Sequence, residues 1–286
     1  EDLFVAFCPE RVVEGKAMEE LATLPKIVGG VGRNSTIRAK EVLSVFGGDI
    51  VEVSDSRTAE MCKLIDNSYR MTRFGFSADV AAVSWRNGVD AYEAIRAANS
   101  GYSRNDVPLP SIGVSGYCLT KDPYYLDAGA NEVWSERGFP STWIAARRAA
   151  DFQIDEAISR VDEHFGGKFR PLRVVIAGAT YKEDVDDTRL SHGRELANKC
   201  LGRGWDVRFW DPVAPESDIE GIPIYPDSDS LEGQDCVIFT VPHKEFIEWS
   251  KGMTGAEMMR GKLIFDGWGI INKSIPGGTI IGTGKS

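Results

Sequence analysis

RVVIAG, residues 173–178, is the stretch on which the fold turns. Its apolar run is too short for a helix and is closed by glycine, which describes a strand buried on both faces. The pattern then repeats downstream. Ser191–Cys200 has helical spacing and stops at Gly202, and DVRFW (206–210) is a strand ended by Asp211 and Pro212. DCVIFT (235–240) and KLIFDG (262–267) are two more strands. Strands alternating with helices predict a doubly wound parallel α/β sheet, placed over residues 169–286.

Upstream the period changes. From Thr58 to about Arg86, residues Met61, Leu64, Ile65, Ser68, Thr72, Phe76, Val80 and Val83 recur at spacings of three and four. That is one long helix with Asp55 or Ser56 as its cap, long enough to act as a packing spine or a subunit interface. Asp90–Ala98 and Trp143–Phe165 are further helices. The segment between them, Asn99–Tyr117, is rich in Gly, Ser, Pro and Asn, and loops of that length are usually functional. The opening residues suggest a buried strand over Leu3–Phe7, a strand at Lys26–Val28, a helix over Thr36–Phe46 and a strand at Asp49–Val53. Together they look like the last part of an α/β layer, as if the chain began in mid-domain. The expected division is 1–56, 57–168 and 169–286.

Composition narrows the function classes. The net charge of -10 argues against a general nucleic-acid binder. No apolar run approaches the roughly 18 residues of a membrane span, and no signal-peptide pattern opens the chain. Five scattered cysteines without a CxxC pair fit a reducing, cytoplasmic compartment. Three isolated histidines give no metal-ligand spacing, so no metal site is expected.

Several residues could carry chemistry. In GVSGYCLTKDP (113–123), Cys118 follows Gly113 and Gly116 and precedes Lys121 and Asp122. A lone cysteine is most often a small buried hydrophobe, whereas a nearby cation favours the reactive thiolate, and both readings stand. Lys63 and Asn67 lie one helical turn apart, with Arg70 continuing the face. They could steady a developing negative charge, although spacing alone favours a solvated surface. Glu10 and Glu14 follow the first strand and Lys182 follows RVVIAG, at carboxyl strand ends where open α/β sheets bind ligands. GxGxxG is absent there, and Asp211 lies 33 positions after Gly178, too far for the ribose-binding acid, so it reads as a turn residue.

CPERVVEG, KLIDNSYR, GVSGYCLTKDP and YKEDVDDTRLS, in this order, resemble the nucleotide-sugar 6-dehydrogenases, which include UDP-glucose and UDP-N-acetylmannosamine dehydrogenases. The likeness covers nearly the whole chain. It implies a remnant of a Rossmann-type NAD domain, a central long-helix dimerisation region and a C-terminal Rossmann-like domain holding the nucleotide sugar. It also implies NAD-dependent oxidation of a UDP-sugar C6 alcohol to the acid, with Cys118 as the nucleophile that captures the aldehyde. By motif match, Lys63 and Asn67 steady the oxygen, Asp122 helps position water or lysine, and Glu10 serves thioester hydrolysis. Glu14, Gly113, Gly116, Lys121 and Lys182 fall among the substrate-contacting positions, and Arg104 matches an arginine reaching the partner subunit's substrate. The NAD site is expected mainly in sequence preceding this chain, and a homodimer through residues 58–86 is implied.

Departures from the family pattern give a second reading. Ser115 stands where the family repeats glycine, and Trp268 and Gly269 stand where an arginine and often an asparagine are expected. CPERV and DPYYL resemble the N-acetylhexosamine branch, while Glu14 and Lys121 resemble the glucose branch. The alternative is a nucleotide-sugar-binding or regulatory module without catalysis.

Overall fold

The computed structural model describes residues 3–167 and 171–285. The expected boundary at 168/169 and the first two residues lie outside the described residues. In chain order the first elements are β1 (Ala6–Phe7), α1 (Ala17–Thr23), β2 (Lys26–Gly30), α2 (Arg33–Leu43), β3 (Ile50–Glu52) and α3 (Ser56–Arg86). Helices α4 (Ala91–Asn99), α5 (Tyr117–Ala128), α6 (Asn131–Arg137) and α7 (Thr142–His164) follow. The last part holds β4 (Arg173–Ala177), α8 (His192–Gly202), β5 (Asp206–Trp210), β6 (Asp218–Ile219) and β7 (Ile222–Tyr225). It closes with β8 (Cys236–Phe239), α9 (Lys244–Gly252), β9 (Leu263–Asp266) and β10 (Thr279–Gly282). Backbone contacts divide the chain into two compact units, residues 1–70 with 121–139 and residues 71–120 with 140–286.

The first unit contains a small sheet in the order β1-β2-β3, with β2 and β3 parallel and β1 antiparallel at its edge. Leu3–Phe7 is not the buried strand its apolar run suggested. Only two residues pair, and Leu3 is 86% exposed with Phe4 and Val5 also exposed. An edge strand pairing at two positions leaves the preceding residues no sheet to cover them. Lys26 is buried where β2 begins, and its ammonium donates to the carbonyls of Leu21 (2.7 Å) and Gly47 (2.5 Å). Those bonds satisfy a charge that burial would otherwise penalise.

The second unit is built on a seven-stranded sheet in the order β10-β9-β8-β4-β5-β7-β6, parallel except for β6. Alternate residues feed two cores. Val174, Ile176, Val207, Phe209, Ile238 and Phe265 face one, together with Ile154, Ile158 and Val161 of α7 and Leu196 of α8. Val175, Ala177, Val237, Phe239 and Ile264 face the other, together with Phe246 and Met253 of the α9 region. Two apolar faces explain the uninterrupted hydrophobic runs and make the sheet doubly wound.

Strand β4 ends at Gly178, whose φ is +119° and where a Cβ would lie 2.5 Å from Thr240 Oγ1 and Val241 Cγ2. Only glycine fits. Ser191 caps α8 by accepting from the Gly193 amide at 3.0 Å, and Asp90 caps α4 through the amides of Tyr92 and Glu93. Both caps sit where sequence places a short polar residue before a helix. The long helix α3 runs over the span its period predicts, beginning two residues earlier.

Candidate active site

In the first unit, α3 and α5 bring together residues distant in sequence. Asn67 and Asp122 are both buried, and the Asn67 Nδ2 donates to Asp122 Oδ2 at 2.5 Å. Arg70 donates to Asn67 Oδ1, which fixes the amide's orientation. The other carboxylate oxygen of Asp122 accepts from Lys121 Nζ at 2.6 Å. Lys63 Nζ donates to the main-chain carbonyl of Glu10 at 2.8 Å and lies 3.8 Å from the Glu10 carboxylate. The Glu10 side chain turns back to accept from the Val12 amide, and Arg11 pairs with Asp66 at 3.1 Å.

The solvated-face reading therefore fails for Asn67, which is 3% exposed, whereas Lys63 is half-buried. Two bonded groups result, Lys63 with Glu10 and Asn67 with Arg70, Asp122 and Lys121, and Lys63 and Asn67 stand one turn apart on α3. A buried carboxylate bonded to an amide and to an ammonium is a charge-assisted hydrogen-bond network. Glu14 is exposed.

Cys118 is the second residue of α5, one turn before Asp122, and is half-buried. The segment preceding it belongs to the second unit and is pinned residue by residue. Ser111 Oγ donates to Gly113 O at 2.8 Å, and the buried Arg147 donates to Val114 O at 2.9 Å. Ser115 Oγ lies 2.9 Å from Tyr181 O and 2.5 Å from His192 Nδ1. Gly116 has φ +89°, with the Tyr181 ring 3.3 Å from where a Cβ would project, so this position also demands glycine. At Gly113 a Cβ would make ordinary contact with His192 and Ile154 at 3.5–3.6 Å, so that glycine is not forced by packing. Arg104 is exposed and stacks over Tyr102, its guanidinium 4.5 Å from the ring centre.

At the carboxyl ends of β4, β5 and β8 lies a buried polar cluster that sequence reading missed. Asp211 accepts from the amides of Ala179 (2.7 Å), Thr180 (3.0 Å), Val213 and Ala214 (2.9 Å each), and its Oδ2 lies 3.3 Å from His243 Nε2. Burial raises the Asp211 carboxyl, but bonds from His243 and the surrounding amides outweigh it and hold the group below the ordinary aspartate range. His243 is fully buried and its Nδ1 accepts from the Asp184 amide at 2.9 Å, so the proton of the neutral ring sits on Nε2. Asp211 is thus the turn residue its spacing suggested, and it also anchors the segment that carries Lys182. Lys182 itself is half-buried, and its carbonyl accepts from Thr180 Oγ1 at 3.2 Å. The signal for His243 was slight, a single histidine after the strand DCVIFT.

These residues do not form a dinucleotide cradle. The Ala179 and Thr180 amides at the end of β4, which a phosphate would need, are taken by Asp211. At the glycine turn between β2 and α2, a Cβ on Gly29 would lie 2.0 Å from the Asp55 carbonyl oxygen and one on Gly30 2.5 Å from the Thr36 amide. Those glycines admit the chain's own backbone rather than a ligand.

Residues 57–149 match the central domain, and residues 175–273 the UDP-binding domain, of the UDP-glucose/GDP-mannose dehydrogenase family. The chain belongs to that family. The UDP-N-acetyl-D-mannosamine dehydrogenase of Methanocaldococcus jannaschii is 30% identical over 281 residues, which cover 96% of this chain and 61% of that protein. The solved UDP-D-ManNAc dehydrogenase of Pyrococcus horikoshii superposes with a TM-score of 0.84 at 30% identity, covering 98% of this chain and 64% of that one. The UDP-N-acetyl-mannosamine dehydrogenase of Staphylococcus aureus superposes with a TM-score of 0.78 at 27% identity, covering 99% and 64%. The chain thus spans about three fifths of the length of these relatives. The α/β architecture with a Rossmann-like parallel sheet and a long helix is that of the family. Among the described residues no helix is long and apolar enough to cross a membrane.

Proposed function

We propose that this chain carries the central and nucleotide-sugar-binding parts of an enzyme that oxidises the C6 alcohol of a UDP-sugar to the acid in two steps, of the UDP-N-acetylmannosamine or UDP-glucose type. The observation that carries the reading is the buried Asn67–Asp122 pair with Lys63, Lys121 and Glu10 around it, within a chain of this family. NAD is the proposed acceptor of the hydrides. It is assigned mainly to chain beyond these residues, since the space at Gly29 and Gly30 is filled by the chain's own backbone and the amides at the end of β4 are taken by Asp211.

The roles of this chain's own groups follow from their chemistry. The Cys118 thiolate adds to the aldehyde carbon, giving a thiohemiacetal that tethers the intermediate between oxidations. Once it has been oxidised to the thioester, water attacks the carbonyl carbon, the C–S bond breaks and the thiolate leaves. Lys63 and Asn67 supply donors for the oxygen that carries charge in these steps. Both are held by protein acceptors, so each can exchange a fixed bond for one to the substrate. Asp122 orients Asn67 and Lys121, and Glu10 takes the proton of the attacking water. Glu14, Arg104, Gly113, Gly116, Lys121 and Lys182 are assigned to substrate contact.

The proposed division into residues 1–56, 57–168 and 169–286 follows the same reading, as does a homodimer through α3. Met61, Ile65, Phe76 and Val83 lie on one stripe of that helix and are all exposed, and a second copy is the natural cover for such a stripe. A cytoplasmic, nucleic-acid-free and metal-free protein completes the proposal. A binding module without catalysis is the second reading, favoured by Trp268, whose indole donates to Thr240 O at 2.6 Å where the family pattern offers a cation. The full-length protein, given NAD and UDP-N-acetylmannosamine or UDP-glucose, should form two NADH for each sugar acid. UDP-sugar binding with no NADH would establish the module instead.

A further inference from the structure

A hydrogen-bonded chain within the second unit joins the segment before Cys118 to the carboxyl ends of the sheet. Ser115 Oγ lies 2.5 Å from Nδ1 of His192, the first residue of α8. The other ring nitrogen, Nε2, meets the carbonyl of Thr240 just past β8. The same carbonyl accepts from the indole of Trp268 just past β9, and Thr240 Oγ1 returns to the Gly178 carbonyl at 2.7 Å. His192 is buried, so both ring nitrogens depend on these partners. A carbonyl only accepts, so Nε2 carries the proton and Nδ1 of the neutral ring accepts from Ser115. Ser115 also faces the Tyr181 carbonyl at 2.9 Å. One hydroxyl proton serves two acceptors, so Ser115 has two discrete arrangements, one bonded to α8 and the other to the segment that leads into Lys182.

We propose that His192 is a positioning residue that couples the nucleotide side of the sheet to the thiol, through the choice Ser115 makes between the imidazole and the Tyr181 carbonyl. The inference rests on the proposed roles of Cys118 and of the UDP-binding domain. A ligand that moves the main chain at Tyr181–Lys182 weakens one acceptor, shifts Ser115 to the other and so changes the setting of the turn three residues before Cys118. Both ends are required, because the bistable element is the hydroxyl and its stiff reference is the ring held by Thr240.

The test is the rate at which iodoacetamide alkylates Cys118, followed by peptide mass spectrometry with and without saturating UDP. Ser115→Ala, His192→Gln and Ser115→Thr are compared, with UDP affinity measured in parallel by calorimetry. UDP should change the wild-type rate at least about threefold, a shift of roughly 0.65 kcal/mol at RT of 0.59 kcal/mol. The change should vanish in Ser115→Ala and His192→Gln, which bind UDP within about twofold of wild type, and return in Ser115→Thr. Should His192→Gln fail to fold, Ser115→Ala decides alone, since it removes a single hydroxyl. A UDP effect that persists in Ser115→Ala would mean direct shielding of the thiol and overturn the coupling. UDP binding with no change in the wild-type rate would overturn it as well, and no UDP binding at all would overturn the functional reading beneath it.

Discussion

Replacing His192 with glutamine should alter how stability depends on pH. Burial depresses the His192 imidazole to a pKa of about 4, with the Thr240 carbonyl opposing the shift and the Arg147 cation adding to it. An unfolded histidine titrates near 6.5. Above that pH both states are neutral and the residue imposes no penalty. As pH falls from 6.5 towards 4 the unfolded chain takes up a proton that the folded chain refuses, so stability is lost at up to about 1.4 kcal/mol per pH unit. Over pH 7 to 4 the loss reaches about 3 kcal/mol. Other groups titrate there too: Asp266 is raised by burial and so shifts stability the opposite way, while Asp211, held low, loses its contribution only below the ordinary aspartate range. The difference between wild type and His192→Gln removes both. Tryptophan emission suits the assay, because every tryptophan except Trp134 lies in the second unit. Urea titrations should show the variant less stable at pH 7, where it loses buried hydrogen bonds, and the gap should close by about 3 kcal/mol as pH falls to 4. A gap constant across that range would refute the assignment of a neutral, desolvated ring.

Two further outcomes follow from the described contacts. Asn67→Leu and Asp122→Asn should each cost about 1–3 kcal/mol, and the double variant should cost less than their sum by about 1 kcal/mol or more, because each single change strands a buried partner; strict additivity in chemical denaturation would show the pair is not coupled. Sedimentation should find a dimer at micromolar concentration that Phe76→Glu converts to monomer, since a carboxylate in the middle of the α3 stripe would be buried without a partner; a monomeric wild type would remove the interface.

The periodic parts of the fold were legible and the rest was hidden for identifiable reasons. Helices α3 and α7 and strands β4, β5, β8 and β9 carry long or uninterrupted apolar patterns that one buried face or two impose. Helix α5 hides its period because it buries Asp122 and Pro123 while exposing Tyr117, Tyr124 and Tyr125, the inverse of an ordinary amphipathic face. Strand β7 carries Pro223 and lies toward one edge of the sheet, and β10 is half exposed, so neither reads as a strand. At the site, Lys63 and Asn67 could be paired from their spacing on one helix, and Glu10 and Asp122 stood out in their motifs, but no local pattern shows that these two bond to Lys63 and Asn67 from other segments. Two histidines that looked isolated proved to be buried junctions, because a single polar residue meeting a distant carbonyl or carboxylate leaves no period in the sequence.

The proposed chemistry depends on the Cys118 sulfur. Single-turnover oxidation of the UDP-sugar by full-length protein bearing Cys118→Ser, with product followed by mass spectrometry, addresses it most directly. Sugar acid formation should be abolished in that variant, and acid formed at the wild-type rate would contradict the covalent role of the thiol.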